Sequence, residues 1–579
     1  MKKLLKHMRG YEKECVLGPL FKLFEATLEL LVPLVVAALI DKGIAGGDRP
    51  FVLRMALLLV LFGAVGLFFS AIAQFFAAKA AVGFVTRIRS VLFSHIQSLS
   101  YTENDTLGTS TLIARITGDT AQVQSGVNLF LRLLLRSPFV VFGATIMAFF
   151  VDVRSALWFA WVIPLLSVVV FGVMLVSMPL YKKVQQRLDR LLRATRENLS
   201  GTRVLRAFTE EDGEIRRFEE RNDALTKEHV HVGKISALLN PVTYILINLA
   251  IIALIYTGAL RVELGLLTQG EVIALYNYMS QILVELIKLA NMIIQITKAL
   301  ASAKRIEAIL ETENSQKKGK ETTPAEGSEA IRFEAVSFTY PGAKEPSLSD
   351  ISFSVGRGET LGIIGGTGSG KSTLAQLIGG FYDATEGSVT VLGRDVKDYD
   401  ASALCKFIGT VPQKSVLFRG SIRDNMQLGA KDATDEQIME AISIAQAAEI
   451  VRDKGGLDYE ISQGAKNLSG GQRQRLSIAR ALVLKPEILV FDDSSSALDF
   501  ATEAALRRDL NKLPATTTKV IISQRAGTLT EADKILVLDD GRIVGIGTAN
   551  ELLGSCAVFR EIYESQFGEK EGGKNEENQ

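Results

Sequence analysis

Three short stretches in the second half of this 579-residue chain hold residue types spaced for phosphate chemistry. The first, LGIIGGTGSGKSTLAQLI, passes from an apolar strand pattern through a glycine-rich loop into a helical pattern, and matches G-x-x-x-x-G-K-[ST] from Gly365 to Ser372. Gly365, Gly366, Gly368 and Gly370, with Thr367 and Ser369 between them, let backbone N–H groups approach and cradle an anion. Lys371 is placed to reach terminal phosphates, Ser372 offers a hydroxyl to a magnesium ion, and Thr373 follows in the opening turn of the helix. The second stretch, ILVFDDSSSALD, closes an apolar strand on two adjacent carboxylates. Asp492 suits a magnesium shell beside a nucleotide phosphate, and Asp493 occupies the position where a water-activating base is expected. The third, NLSGGQRQRLSIARAL, opens an amphipathic helix from a polar glycine turn, so Ser469, Gly470, Gly471 and Gln472 form a second anion site.

A strand, loop and helix of this kind need an α/β domain to hold them, and the composition shows that this domain is only part of the chain. Hydrophobic residues make up 47% of the sequence although 22% is charged, so the apolar residues are unevenly distributed. Net charge is +1 and no basic block follows a polyanion, which excludes nucleic acid as the expected partner. Cys15, Cys405 and Cys556 lie far apart, with neither metal-ligand nor disulfide spacing, and are expected to be reduced. The basic N-terminus lacks a short apolar region with a cleavage site and reads as retained.

The apolar residues gather before residue 300. Six stretches, at about 17–40, 52–79, 128–151, 157–180, 240–262 and 272–299, approach or exceed the ~20 residues that cross a bilayer core. Links at 41–51, 152–156 and 263–271 are short; those at 80–127 and 181–239 are long, polar and helix-patterned, and the second is rich in Lys and Arg. The positive-inside rule therefore places both long links, the N-terminus and everything after residue 300 in the cytoplasm. Lys22, Glu25 and Glu29 share one face of the first span, and Glu285 and Lys288 form an i, i+3 pair in the sixth. Charges at such depth are costly, so they either pair between spans or line a polar pathway, with Glu29 and Glu285 as the pathway candidates.

Taken together, the phosphate loop, the strand ending in Asp492, NLSGGQRQR and the following SALD resemble the nucleotide-binding domain of ABC transporters. The resemblance covers nearly the whole chain: six spans with two long cytoplasmic links, then one nucleotide domain, as in half-transporters of the exporter fold. The expected class is thus a polytopic α-helical membrane domain followed by an α/β P-loop domain. Its parts are expected at 1–16 (cytoplasmic segment), 17–311 (membrane domain), 312–330 (flexible linker), 331–566 (nucleotide domain) and 567–579 (polar tail). By resemblance, Tyr340 in VSFTYPG stacks on adenine, Gln413 in VPQKSVLFRGSI lies near magnesium and the coupling surface, and Asp499, in the D-loop-like SALD, contributes to nucleotide binding. LIARITGDTAQVQ and RENLSGTRVLRAF resemble segments flanking the coupling helices. Two ATP molecules would be bound between facing subunits, each held by one chain's phosphate loop and the other's LSGGQ turn.

Two positions depart from the family pattern. Most members carry Glu where Asp493 stands, one methylene longer, and a switch histidine where Gln524 stands in IISQRAGT. The four histidines are His7, His95, His229 and His231, so the nucleotide domain contains none. An amide donates a hydrogen bond but does not take up a proton as imidazole does. The expected reading is a subunit that binds ATP with Mg2+ at its own site but hydrolyses it slowly. Its signature would complete the site of a second, non-identical half-transporter carrying the consensus Glu and His. The expected activity is ATP-driven export of amphipathic drugs or lipids across the cell (plasma or inner) membrane. An importer of the exporter fold, for example for metal chelates, and a non-transporting ATP sensor are the alternatives.

Overall fold

A computed structural model describes residues 2–316, 318–325, 327 and 329–567. The chain divides into two compact units, one of Met1–Gln97 with Ser110–Thr312, the other of Ser98–Thr109 with Glu313–Gln579.

The first unit is helical. Its long elements are α1 (Glu12–Ala38), α2 (Arg49–Ser98), α3 (Thr120–Leu133), α4 (Arg136–Val151), α5 (Val153–Ser200), α6 (Glu211–Ala237), α7 (Leu239–Glu263) and α8 (Gln269–Leu310). Among the described residues, six helical stretches are long and apolar enough to cross a membrane. At 1.5 Å per residue the 50 residues of α2 span about 75 Å, far more than a bilayer core of ~30 Å. The polar link expected at 80–127 is therefore largely a continuation of helix, as is the one at 181–239. The apolar part of α2 keeps Leu57, Leu61, Leu67 and Phe68 outside the bundle, as lipid-facing residues should be, while Ala73, Ala77, Ala80 and Ala81 are buried lower down. Small residues allow close backbone approach there: a Cβ on Gly18 of α1 would stand 3.4 Å from the Ala77 amide nitrogen.

The charges singled out within the first and sixth spans are paired. Arg136, at the start of α4, donates to Glu285 of α8 and to Glu29 of α1, each at 2.6 Å, and Glu285 also accepts from Ser137 (2.8 Å) and Lys288 (2.9 Å). Lys22 pairs with Glu25 and reaches Ser70 of α2 at 3.1 Å. Arg136 and Glu285 are 7% and 3% exposed, whereas Glu29 is 39% exposed. The hub, Arg136, was not among the sequence candidates, although it lies within the stretch 128–151, because it has no acidic partner at helical spacing in its own span.

The second unit is α/β. A four-stranded antiparallel sheet, ordered β2-β1-β4-β5, is built from β1 (Glu329–Phe338), β2 (Leu348–Gly356), β4 (Glu386–Val391) and β5 (Arg394–Asp395). A six-stranded sheet, ordered β10-β9-β3-β8-β7-β6, contains β3 (Thr360–Gly365), β6 (Ile408–Val411), β7 (Ile488–Asp492), β8 (Thr518–Ile522), β9 (Lys534–Asp539) and β10 (Arg542–Gly547). β6, β7, β8, β3 and β9 are parallel, and β10 closes the edge antiparallel. Four helices concern the site: α9 (Lys371–Ile378), α10 (Gly470–Val483), α11 (Phe500–Leu510) and α12 (Ala557–Phe567). The central parallel strands are buried on both faces, which is why LGIIG and ILVFD read as continuous apolar runs.

Two expected boundaries change. Residues 98–109, from the first long link, belong to the second unit: Asn314 brackets Ser98 and Ser100, Glu103 accepts from the Ser315 amide (3.1 Å), and Tyr382 donates to Asp105. The linker expected at 312–330 is not a free chain over its described residues. Gly319 N donates to Lys397 O (2.7 Å), Glu321 N to Asp398 O (3.1 Å) and Ala325 N to Leu392 O (3.1 Å), while Lys318 reaches Gly380 O (2.8 Å). Its polar composition signalled solvent exposure, but the Gly319, Glu321 and Ala325 amides dock on main-chain carbonyls of residues 392–398, with one β-bridge at Glu321. Phe567 ends α12, and the rest of the expected tail, 568–579, lies outside the described residues.

Candidate nucleotide site

Parallel strands deliver their carboxyl ends to one edge of a sheet, and loops leaving that edge form ligand crevices. Here Ile522 of β8 is level with both Asp492 of β7 and Ile363 of β3. The loops after all three strands therefore meet. They surround a cavity of about 340 Å³ lined by Tyr340, Ser347, Thr367, Gly368, Gly370, Lys371, Ser372, Thr373, Gln413, Asp492, Asp493, Ile522 and Gln524.

Glycine is required in the loop for two physical reasons. Gly368 and Gly370 have φ of +87° and +96°, which L side chains rarely adopt. At Gly365 a Cβ would lie 2.1 Å from Leu538 O, so the loop could not pass β9 with any other residue. Lys371, buried at the start of α9, folds back so that Nζ donates to Gly365 O (2.9 Å), Gly366 O (2.5 Å) and Ser369 Oγ (3.3 Å). Gly365, Gly366 and Ser369 thus hold the lysine, while the residues on either side of them line the cavity.

Ser372 Oγ donates to Asp492 Oδ1 at 2.9 Å. Burial raises the Asp492 carboxyl above its usual range, against the Ser372 hydrogen bond, and neighbouring Asp493 adds to the rise. Burial also raises Asp493, with Gln413 and Lys371 opposing, and lowers Lys371, with Asp493 and Asp492 opposing. Two partly desolvated carboxylates and one desolvated ammonium fit a polyanion carrying a divalent cation. Ser372 and Asp492 supply hard oxygen donors suited to magnesium, and the N–H-lined loop with Lys371 suits phosphates.

Asp493 sits at φ +44°, in the left-handed region, with its N–H bonded to Ile522 O at 3.0 Å. Its carboxylate accepts from Gln413 Nε2 at 3.3 Å. Tyr340 is held by Phe338 and Tyr382, whose rings meet it edge-on at 4.8 and 5.4 Å between centroids. Its hydroxyl donates to Gln376 Oε1 (2.6 Å) and lies 3.2 Å from Thr373 Oγ1. Gln376 and Ser347 were missed in the sequence. Both are small or polar residues in ordinary-looking runs, identified only by the fold that brings them to Tyr340 and to the loop.

The structure does not bring the signature turn to this cavity. Among the described residues, the lining includes none of Ser469, Gly470, Gly471, Gln472 or Asp499. Ser469 and Gln472 instead form a capping box at the start of α10: Gln472 N donates to Ser469 Oγ (3.3 Å) and Ser469 N to Gln472 Oε1 (3.0 Å). A Cβ on Gly471 would lie 3.2 Å from Ala497 O, so this turn packs beside the SALD segment. Asp499 caps α11, accepting from Thr502 N at 2.9 Å, and that amide holds its carboxyl below the usual range.

Residues 15–286 match the ABC transporter transmembrane region, and residues 348–496 match the ABC transporter domain. An uncharacterized ABC transporter ATP-binding protein of Mycobacterium tuberculosis is 36% identical over 572 residues, 97% of each chain. Another, YfiB of Bacillus subtilis, is 36% identical over 99% of this chain and 100% of its own. An ATP-dependent lipid A-core flippase of Vibrio parahaemolyticus is 28% identical over 98% of each. The fold matches a bacterial Atm1-family ABC exporter solved with ATP bound, with a TM-score of 0.80 at 24% identity, covering 96% of this chain and 98% of that one. From its phosphate loop to its six membrane helices, the chain belongs to the ABC transporters.

Proposed function

We propose that the chain is one subunit of a heterodimeric ATP-driven exporter of amphipathic compounds, lipids among them, in the cell membrane. Its own ATP site holds nucleotide more than it hydrolyses it. The observation that carries this reading is the pair facing the cavity, Asp493 and Gln524. Asp493 is short, its backbone is left-handed and its carboxylate is engaged by Gln413. Gln524 has no titrating group to relay a proton, and the domain holds no histidine to replace it.

On this reading Lys371 and the loop amides bind the ATP phosphates, and Tyr340 orients the base. Ser372, Asp492 and Gln413 would hold magnesium, which supplies charge neutralisation on the terminal phosphates. The capped turn from Ser469 to Gln472, absent from the chain's own cavity, is then free to close on the phosphate loop of a partner that carries Glu and His. Closure and reopening of the paired nucleotide domains would switch the membrane domain between its two faces. The basic link and the nucleotide domain are cytoplasmic in this arrangement, by the positive-inside rule. The named activity of the 28%-identical flippase supports a lipid-like cargo.

The test is co-purification from the native membrane with identification of the second subunit. A consensus half-transporter is expected. A dimer of this chain alone with brisk ATP turnover and transport would sink the proposal.

A further inference from the structure

Gln524 lines the cavity from the short turn 523–525, which leads into a one-turn helix (Ala526–Leu529), and this stretch is gripped from two sides. On one side Arg525 donates to Glu503 of α11 at 2.8 Å, its guanidinium lies 4.9 Å from the Phe500 ring centroid, and Thr528 donates to Glu503 at 2.6 Å. On the other side stands Gln566, in the last turn of α12. Its Nε2 donates to Gln524 O at 2.8 Å and its Oε1 accepts from Ala526 N at 2.9 Å.

A single primary amide thus ties two main-chain groups, one an acceptor and one a donor, on either side of Arg525. The primary amide of Gln carries both functions in one plane. Gly527 lets the helix come close: a Cβ there would stand 3.0 Å from the Phe567 ring. The grip fixes the backbone of Gln524, which lines the cavity together with Lys371, Asp492 and Asp493.

We infer that Gln566 is a positioning residue for Gln524, so that the terminal helix sets how strongly this cavity distinguishes ATP from ADP. Gln566 is not among the residues lining the cavity. It acts by holding the Gln524 Cα, and a hydrogen bond to the third phosphate forms reliably only from a fixed origin. ADP lacks that phosphate, so its binding is indifferent to the grip.

The experiment uses the full-length chain in its membrane complex, photolabelled with an azido-adenine nucleotide and separated by mass, with competition by ATP or ADP. Labelling reads this chain's own cavity whether its partner is identical or not, so the outcome does not depend on the heterodimer or on slow turnover. Q566L preserves size and removes both bonds. It is expected to weaken ATP about three- to tenfold, the effect of one hydrogen bond, and to leave ADP within about twofold. Q566E keeps only the acceptor and should fall between. Q566A also removes both bonds and gives the same reading if Q566L does not assemble.

The control is R560A, which removes the Arg560 bonds to Leu553 O (2.8 Å) and Gly554 O (2.9 Å) and loosens α12 without touching the grip. It should lower the melting temperature with the ATP/ADP ratio unchanged. An unchanged ratio in folded Q566L, or in Q566A in its place, overturns the inference. So does a ratio that follows melting temperature alike in R560A and Q566L.

Discussion

Replacing Asp493 by Glu probes the chemistry of the site most directly. The substitution adds one C–C bond, ~1.5 Å of reach. In the wild type the carboxylate is drawn to Gln413, 3.3 Å away. A misplacement of about 1 Å costs on the order of a hundredfold in rate, so restoring the reach should raise turnover at this site roughly tenfold to a hundredfold. An opposing effect comes from the backbone, since φ at this position is +44°. The left-handed region costs ordinary L residues about 1–2 kcal/mol and Asp less, so D493E should lose up to ~1 kcal/mol of stability. The gain and the loss are measurable separately. Vanadate trapping of an azido-ADP generated on this chain reports hydrolysis here and not at a partner's site, and thermal melting reports the strain. Combining D493E with Q524H should increase trapping further. If the double variant still binds azido-ATP but traps no more product than wild type, the reasoning that these two residues limit hydrolysis is refuted.

K371A should weaken ATP labelling of this chain while labelling of its partner persists, whereas S469A or G471D should reduce hydrolysis at the partner's site and spare binding here; vanadate trapping on the separated subunits distinguishes the two. R136M would leave the buried Glu285 with only the more exposed Lys288 as its cation and should cost up to about 3–5 kcal/mol, read as a fall in melting temperature in lipid nanodiscs, while the combined R136M/E285Q/E29Q should recover much of it. At Glu103, burial pushes the carboxyl up, but hydrogen bonds from Ser100 and Ser315 outweigh it and hold it below its ordinary value of 4.5. A depressed folded value means that this group's stabilisation is present above pH 4.5 and is lost as pH falls through the folded value. Amide exchange at Ser315 should therefore quicken on acidification in wild type, and E103Q should flatten that dependence.

Much of this protein is written locally. The phosphate loop is legible because the glycines needed at positive φ, the lysine and the hydroxyl lie within eight consecutive positions, and the spans are legible because a bilayer demands uninterrupted apolar length. Arg136 was not legible, since its meaning comes from carboxylates 107 and 149 positions away that only helix packing supplies. The segment at 312–330 misled for a related reason: polar side chains describe what faces water, whereas docking is done by main-chain groups common to every residue.

The sequence by itself determined the reactive inventory, including the absence of Glu and His where Asp493 and Gln524 stand, because side-chain chemistry needs no fold to be read. Only the tertiary structure decided which groups meet. Parallel register set Asp492 level with Ile522, a left-handed turn aimed Asp493 at Gln413, and the terminal helix brought Gln566 onto the backbone of Gln524. Those contacts join residues tens of positions apart, and non-local packing, unlike a local motif, leaves no fixed spacing in the chain.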